Sequence, residues 1–367
     1  MTTRRNLLAG GAVLVVAGAG ASFSVARNMG SLDHYRAAVA LMRVPTGRDS
    51  DLASLLRYAT LAPSGHNAQA WKFSVSPGRI DIRPDLMRRT PVVDPDDHHL
   101  FVSLGCAAEN LSLASSGQGL PGEIRYDPSG FGSAVFDFVA GTPKPSPLVE
   151  AITRRQSTRS DYDGKPVSNG ILGQLSRAAA TAGVEMALIT DRPRIDQIRD
   201  LVIEGNKTQM SDQAFLEELR SWMRFSPRRA LQTGDGLFSA TTGNPVMPEW
   251  LGPTVFDLAF KTSSENAKYA RQIASSAGLA VFVAESENPE GWIQVGRAAQ
   301  RFALQATALG LKCAFINQAV EVPRLRPELA SLMGIPGRRA DLVMRFGHAP
   351  DLPFSARRPV SEVQVQS

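Results

Sequence analysis

Two helical segments of this chain can be laid over one another without a gap, and a chain that repeats itself has few folds open to it. Residues 105–120 (GCAAENLSLASSGQGL) and 296–311 (GRAAQRFALQATALGL) coincide at an offset of 191 residues. Identical residues fall at Gly105/Gly296, Ala107/Ala298, Ala108/Ala299, Leu113/Leu304, Gly119/Gly310 and Leu120/Leu311. In the second copy Val295, Ala299, Phe302, Ala306 and Leu309 recur at helical spacing, so one face is apolar. Small residues on that face permit close helix-helix approach. A second pair matches upstream, Leu52 to Ala62 over Leu172 to Ala182, at an offset of 120 residues. Helices rich in alanine, leucine and glycine resemble one another by chance, and a single match would carry no weight. Two matches in the same order read as a duplication. The offsets of 191 and 120 differ by 71 residues, so the second copy carries a long insertion, expected within 205–265.

Strand signals surround these helices. In the first half they cover Lys72 to Val75, Arg79 to Arg83, Glu123 to Tyr126 and Ala134 to Ala140. In the second they cover Val184 to Thr190, Leu279 to Glu285 and Leu342 to Phe346. Helices alternate with strands in both halves. The expectation is an α+β fold of two tandem repeats, residues 35–150 and 151–367, each a sheet packed with helices, with the small-residue helices at their junction.

Composition narrows the function classes. A chain of 367 residues, 43% hydrophobic and 20% charged, can bury an ordinary core. The net charge of +5 is spread along the sequence without an aromatic-interleaved basic stripe, so nucleic acid is set aside as a partner. Cys106 and Cys313 lie in no CxxC or Cys/His cluster and read as small buried apolar residues. His98 and His99 follow Asp94, Asp96 and Asp97, a grouping that reads either as a metal site or as a solvated loop after a Pro-rich turn. No metal is assigned.

The N-terminus bears on location. Thr3-Arg4-Arg5-Asn6-Leu7-Leu8 precedes an almost uncharged run from Ala9 to Ala26, ending in Ser24-Val25-Ala26. A twin-arginine export signal has this layout; the alternative for residues 1–30 is an uncleaved membrane anchor. The export reading places the protein in the periplasm or cell envelope and makes the twin-arginine machinery a partner. That route carries proteins already folded, as one loaded with cofactor in the cytoplasm would need.

Two motifs remain. Ala62-Pro63-Ser64-Gly65-His66-Asn67-Ala68-Gln69-Ala70-Trp71 ends an amphipathic helix in a turn of small polar side chains and free backbone N–H groups. Arg154-Arg155-Gln156-Ser157-Thr158-Arg159 sets three guanidinium groups and two hydroxyls within six residues. That set suits a phosphate, and is equally a solvated charged face when read on composition alone. As ordered strings the two resemble the APSxxNxQPW and RxSxR motifs of the nitroreductase superfamily, in which the loop lies against a flavin ring and the arginine-serine motif binds the FMN phosphate and ribityl chain. The chain departs at Ala70, where the family usually has proline. The resemblance implies FMN as cofactor. Pro63, Ser64, Gly65, His66, Asn67 and Gln69 would then lie at the ring, with Arg155, Ser157 and Arg159 at the phosphate and ribityl and Gln156 at the pyrimidine edge. It adds Arg357 and Arg358 from the basic tail, and Asn317 and Gln318 from the turn expected at Ala314 to Gln318.

The loop motif belongs to the first half, whereas the arginine-serine motif and the tail belong to the second. In the matching places the second half has Ala182-Gly183-Val184, and the first has Arg43 to Arg48. This resembles the fused-repeat Acg branch of the superfamily, which implies a pseudo-dimer in one chain, one composite flavin site, and an inserted lid. The lid candidates are Trp222, Met223, Arg224, Phe225 and the stretch from Gly243 to Pro253. In such a protein the flavin carries the chemistry and no catalytic side chain is required. The expected activity is FMN-dependent oxidoreduction of a small organic substrate, from an electron donor the sequence does not name: there is no GxGxxG strand-turn-helix for a nicotinamide. The alternative is a lidded, flavin-sequestering or redox-buffering protein without turnover.

Overall fold

The computed structural model describes residues 28–45 and 52–365. The expected export signal falls almost wholly outside the described residues. Among the described residues no helix is long and apolar enough to cross a membrane.

The first half contributes β1 (Trp71–Ser76), β2 (Arg79–Pro84), β3 (Gly122–Asp127) and β4 (Ser133–Phe138). The second contributes β5 (Val184–Ile189), a small parallel pair β6 (Met223–Arg224) and β7 (Leu237–Phe238), then β8 (Gly278–Ala284), β9 (Lys312–Phe315) and β10 (Leu342–Gly347). A final strand, β11 (Gln364–Val365), ends the described chain. The sheets run β11-β1-β2-β4-β3 and β5-β8-β10-β9. With β11 set aside, each half lays its strands in the order first, second, fourth, third, every neighbour antiparallel. The α+β expectation holds, and the two sheets share one topology. β11 leaves the second half and pairs in parallel with β1, Phe73 beside Gln364.

The helices before the second sheet are α1 (Leu32–Leu41), α2 (Leu52–Thr60), α3 (His98–Gly117), α4 (Pro147–Ile152) and α5 (Asn169–Ala179). α6 (Arg192–Met210), α7 (Gln213–Trp222), α8 (Pro227–Thr233), α9 (Gly252–Ala259) and α10 (Thr262–Ala274) follow β5. After β8 come α11 (Pro289–Ala308) and α12 (Gln318–Glu321). The 191-residue offset carries all of α3 onto all of α11, His98 to Pro289 and Gly117 to Ala308.

These two helices pack on each other, and glycine makes the crossing possible. A Cβ on Gly105 would lie 2.0 Å from the Ile293 carbonyl oxygen, and one on Gly296 would lie 2.0 Å from that of Val102. Val102 and Ile293 are themselves related by the same offset, so the two contacts are one contact made twice. The polar contacts obey the same exchange: Arg301 donates to Glu109 at 2.8 Å, and Gln300 donates to Asn110 at 2.6 Å. Such exchange of partners marks a two-fold relation between the halves.

A single apolar core holds α3, α11 and the inner faces of both sheets. The second sheet is also covered on its outer face, where Ile195, Ile198, Leu201 and Val202 of α6 pack on Leu279, Val281, Val283 and Val343. Each such aliphatic side chain contributes about 1.5–3 kcal/mol when fully buried. The sequence carries this difference. β8 is an unbroken apolar run buried at every residue, whereas β1 begins with the alternation Trp71-Lys72-Phe73-Ser74.

Between β1 and β2 the chain spends two residues, Pro77 and Gly78; between β5 and β8 it spends residues 190–277. The stretch expected as the insertion, 205–265, lies inside the latter. Two local expectations are corrected. Ala314 and Phe315, the start of the turn expected at Ala314 to Gln318, are not turn but the end of β9, which pairs with β10 over Met344 to Gly347. Nor does Arg43 hold in the first half the place that the arginine-serine motif holds in the second. α1 docks Tyr35 and Val39 against Ala230, Phe238 and Ala356 of the insertion and tail, while α4 packs on α11 and α3.

Candidate functional site

The loop that follows α2 is strained. His66 (φ 49°), Asn67 (55°) and Gln69 (53°) adopt the left-handed region that favours glycine. The surroundings hold them there. Asn67 donates to Gly236 O at 3.1 Å, Gln69 donates to Gly234 O at 2.8 Å, and the Gly236 N–H returns a bond to Asn67 O at 3.2 Å. The insertion is thus bonded directly to the loop. Strain of this kind, held by surrounding structure, clusters at functional sites.

The same loop faces a cleft of about 390 Å³, within the range of small-molecule sites. Pro63, Ser64, Gly65 and His66 line it from the first half, with Thr90, His99, Ser103 and Cys106. Arg159, Phe315, Asn317, Gln318 and Glu321 line it from the second. The insertion adds an apolar wall that includes Met210, Phe215, Met223, Phe225, Met247 and Phe256. Of the residues that the resemblance assigns to the flavin, Pro63, Ser64, Gly65, His66, Arg159, Asn317 and Gln318 reach the cleft. Burial, with Arg159 nearby, pushes His66 down to about 4, so its imidazole is neutral near pH 7, and its Nδ1 is buried without a partner.

Arg155 and Arg357 lie behind the cleft. Both donate to Leu61 O, each at 3.3 Å, and Arg357 also bonds Ala62 O at 3.2 Å and Asn67 Oδ1 at 2.8 Å. The second-half motif, the tail and the first-half loop therefore meet at the end of α2. Arg43 is a third member: it donates to the Thr153 and Arg155 carbonyls and lies over the Phe354 ring. Among the described residues no carboxylate pairs with any of the three, and each has a buried Nε without a partner. Burial pushes Arg155 down to about 10, with Arg159 adding, and Arg357 down to about 9, with Arg155 adding; it holds Arg43 well below its ordinary range, with Arg357 and Arg155 adding. Buried cations gathered without a counter-charge are costly alone and form a ready anion site.

Other expected residues are placed differently. Gln156 does not reach the cleft, because both ends of its amide are taken by the Leu352 backbone at 2.9 Å. Asn67 and Gln69 hold the insertion and tail in place of lining the cleft. Arg358 faces carboxylates, Glu362 at 3.4 Å and Asp85 at 3.7 Å, so it is already neutralised. Ser157 is half-buried and bridges to Cys313 through its backbone. Both cysteines are free and buried, and burial pushes each thiol up to about 12, which fits inert packing residues.

His98 and His99 are neither in a solvated loop nor in a metal cluster. They open α3, whose first N–H groups are taken by Asp94 at 2.9 Å. His98 is fully buried against Asp341 at 2.9 Å. Among the described residues no group of three or more His, Cys, Asp or Glu is placed to hold a metal. Sequence reasoning missed Arg43, Glu321 and the cleft role of His99. No motif marks Arg43 or Glu321; His99 carried a signal only as a histidine beside acids.

Comparisons with known proteins agree with this picture at the level of family. The Nitroreductase family model matches residues 152–348. Two Mycobacterium tuberculosis proteins are similar over most of their length. "Putative NAD(P)H nitroreductase Rv3131" is 25% identical over 325 residues, covering 84% of this chain and 90% of that protein. "Putative NAD(P)H nitroreductase acg" is 22% identical over 326 residues, covering 85% and 94%. Among solved structures, the FMN-dependent nitroreductase NfnB from Mycobacterium smegmatis in complex with NADPH aligns with a TM-score of 0.41 and 12% identity, over 60% of this chain and 98% of that one. A nitroreductase with bound FMN from Desulfitobacterium hafniense aligns at 0.39 and 13%, over 59% and 96%.

Proposed function

The chain belongs to the nitroreductase family, and from that premise we propose that it is an FMN-dependent oxidoreductase with one flavin site built from both halves. The observation that carries this reading is the meeting of Arg155 and Arg357 on one carbonyl at the head of the strained loop. A dianionic phosphate would supply a counter-charge that Arg43, Arg155 and Arg357 do not find among the described residues, and their Nε donors, unpartnered there, fit it.

In this reading Arg155, Ser157 and Arg357, joined by Arg43, hold the phosphate and ribityl end. Pro63 to His66, with Asn317 and Gln318, shape the place of the ring, and Asn67 holds the loop to the insertion and tail. Arg159 brings a positive charge to the cleft, and neutral His66 offers a hydrogen bond there. Gln69, Gln156 and Arg358 act at one remove, tying loop, insertion and tail together. Bound there, FMN supplies hydride and electron transfer at its N5 position. The residues of the insertion serve as a lid, excluding water and selecting a small organic acceptor against an apolar wall. Residues 1–30 are assigned to twin-arginine export, and the protein to the periplasm or cell envelope.

Flavin released by heat should amount to one FMN per chain; a ratio near two, or none, would overturn the single composite site. A flavin store without turnover draws support from the same covered cleft. Anaerobic reduction with dithionite or NADPH, followed by nitroaromatics and quinones, separates the two. Flavin that reduces but is reoxidised by no acceptor selects the store.

A further inference from the structure

Among the titratable side chains that line the cleft and to which the flavin reading gives no role, two face each other: His99 on α3 of the first half and Glu321 on α12 of the second. His99 Nε2 lies 3.5 Å from Glu321 Oε1 and is buried without a hydrogen-bond partner. Glu321 Oε2 accepts from Gln209 Nε2 at 2.6 Å, and Gln209 belongs to α6 of the insertion. One carboxyl oxygen is therefore fixed, and the other faces an imidazole with a free nitrogen. Asp94, which accepts the His99 backbone N–H, is a further acid that acts on Glu321. Asp96, His98, Arg326 and Arg339 act on His99, and Tyr269 and Glu265 face the group from α10.

We propose that Glu321, replenished through His99, is the proton donor of this cleft, acting as catalytic acid on a carbonyl-type two-electron acceptor. The assignment rests on the flavin reading for its reductant, a dihydroflavin. Hydride transfer leaves one negative charge on the acceptor oxygen. The O–H bond of Glu321 then breaks, a new O–H bond forms on the acceptor, and Glu321 is left as carboxylate. A solvent proton taken up by His99, whose side chain is 12% exposed, restores the acid.

The electrostatics suit the task. Burial raises Glu321 to about 7, with Asp94 adding to the rise and the Gln209 bond opposing it. Burial, with His98 and Arg339 adding, holds His99 well below its ordinary range, so at neutral pH it is a neutral imidazole that passes a proton on to Glu321 and does not pair with it as a cation. An acid of this strength retains its proton below about pH 7 and loses it above, which matches the operating range of a general acid.

Two measurements test the assignment. In the full-length, flavin-free protein, a difference infrared band of a protonated carboxyl should titrate near pH 7 and be absent from Glu321→Gln; a Glu321 already ionised at pH 6 overturns the proposal. In the holoprotein, benzoquinone, which takes up protons, is compared with ferricyanide, which takes none. Glu321→Gln should slow reoxidation by benzoquinone about 100-fold below pH 7 and leave ferricyanide unchanged. Glu321→Asp should restore part of the rate, and His99→Gln should flatten its pH profile. Wild-type flavin that benzoquinone fails to reoxidise defeats the oxidoreductase reading and the donor with it. Normal wild-type reoxidation that Glu321→Gln leaves untouched in rate and pH profile defeats the donor alone.

Discussion

The two halves of this chain share one strand order and one helix crossing, yet they spend their connections in opposite ways. The first half turns from β1 to β2 with Pro77 and Gly78 and places its long, strained connection before β1. The second half reaches β5 through Ala180 to Gly183, where the left-handed residue is a glycine (φ 76°), and places 190–277 between its first two strands. One copy kept the loop that faces the cleft, and the other grew the wall that covers it. A two-fold scaffold tolerates this because its stability lies in the α3/α11 crossing and the shared core, leaving the connections free to diverge.

The largest effects are expected at that crossing. Gly105→Ala and Gly296→Ala each drive a methyl into a backbone carbonyl that cannot yield, and each should cost about 3 kcal/mol or more in urea denaturation. Similar losses sharpen the two-fold relation; a large loss at only one glycine breaks it. Next comes the meeting point of the halves. Arg155→Ala should weaken FMN binding about 100-fold, roughly 2.7 kcal/mol, measured by fluorescence of released flavin. The fold should persist, since a buried cation without a counter-charge among the described residues is removed. A variant that purifies yellow at the wild-type ratio would count against the site.

Smaller effects test how far the symmetry extends. Glu109→Gln installs the residue that the related position, Gln300, already carries. It removes a 2%-exposed carboxylate from Arg297 and Arg301, and should cost about 1–2 kcal/mol, read as a lowered urea midpoint. A neutral result would mean that the crossing does not need the charged contacts of Glu109. The smallest effect compares the two connections before the first strands. His66→Gly should stabilise the flavin-free protein by up to about 1 kcal/mol by relieving a left-handed φ, whereas Gly183→Ala should cost about as much by creating one. Equal signs in thermal denaturation would show that the first-half loop is not strained at His66.

Much of the fold was legible because repetition and periodicity are local. The 191-residue offset superposes α3 on α11 end to end, and seven expected strands fall where β1 to β5, β8 and β10 lie, within a residue or two. β9 was missed because four residues carry too little pattern, and their pairing with β10 is a tertiary fact. Of the site, Pro63 to His66, Arg159, Asn317 and Gln318 line the cleft. Gln156 and Arg358 do not serve there, because backbone and carboxylate partners distant in sequence claim them first. Arg43, His99 and Glu321 carried no motif that pointed to the cleft. Their relevance arises from α1 docking on the insertion and from α3 and α12 approaching across the two-fold.

By itself the sequence determined that this is a twofold-repeated α+β chain with complementary motifs on its two halves, since hydrophobic spacing and glycine placement act over neighbouring residues. Only the tertiary structure decided where the tail crosses, which cations share a point, and which acids border the cleft. Those outcomes depend on contacts between residues hundreds of positions apart, such as Arg357 with Asn67, and on the burial that lowers Arg155 and Arg357 and raises Glu321.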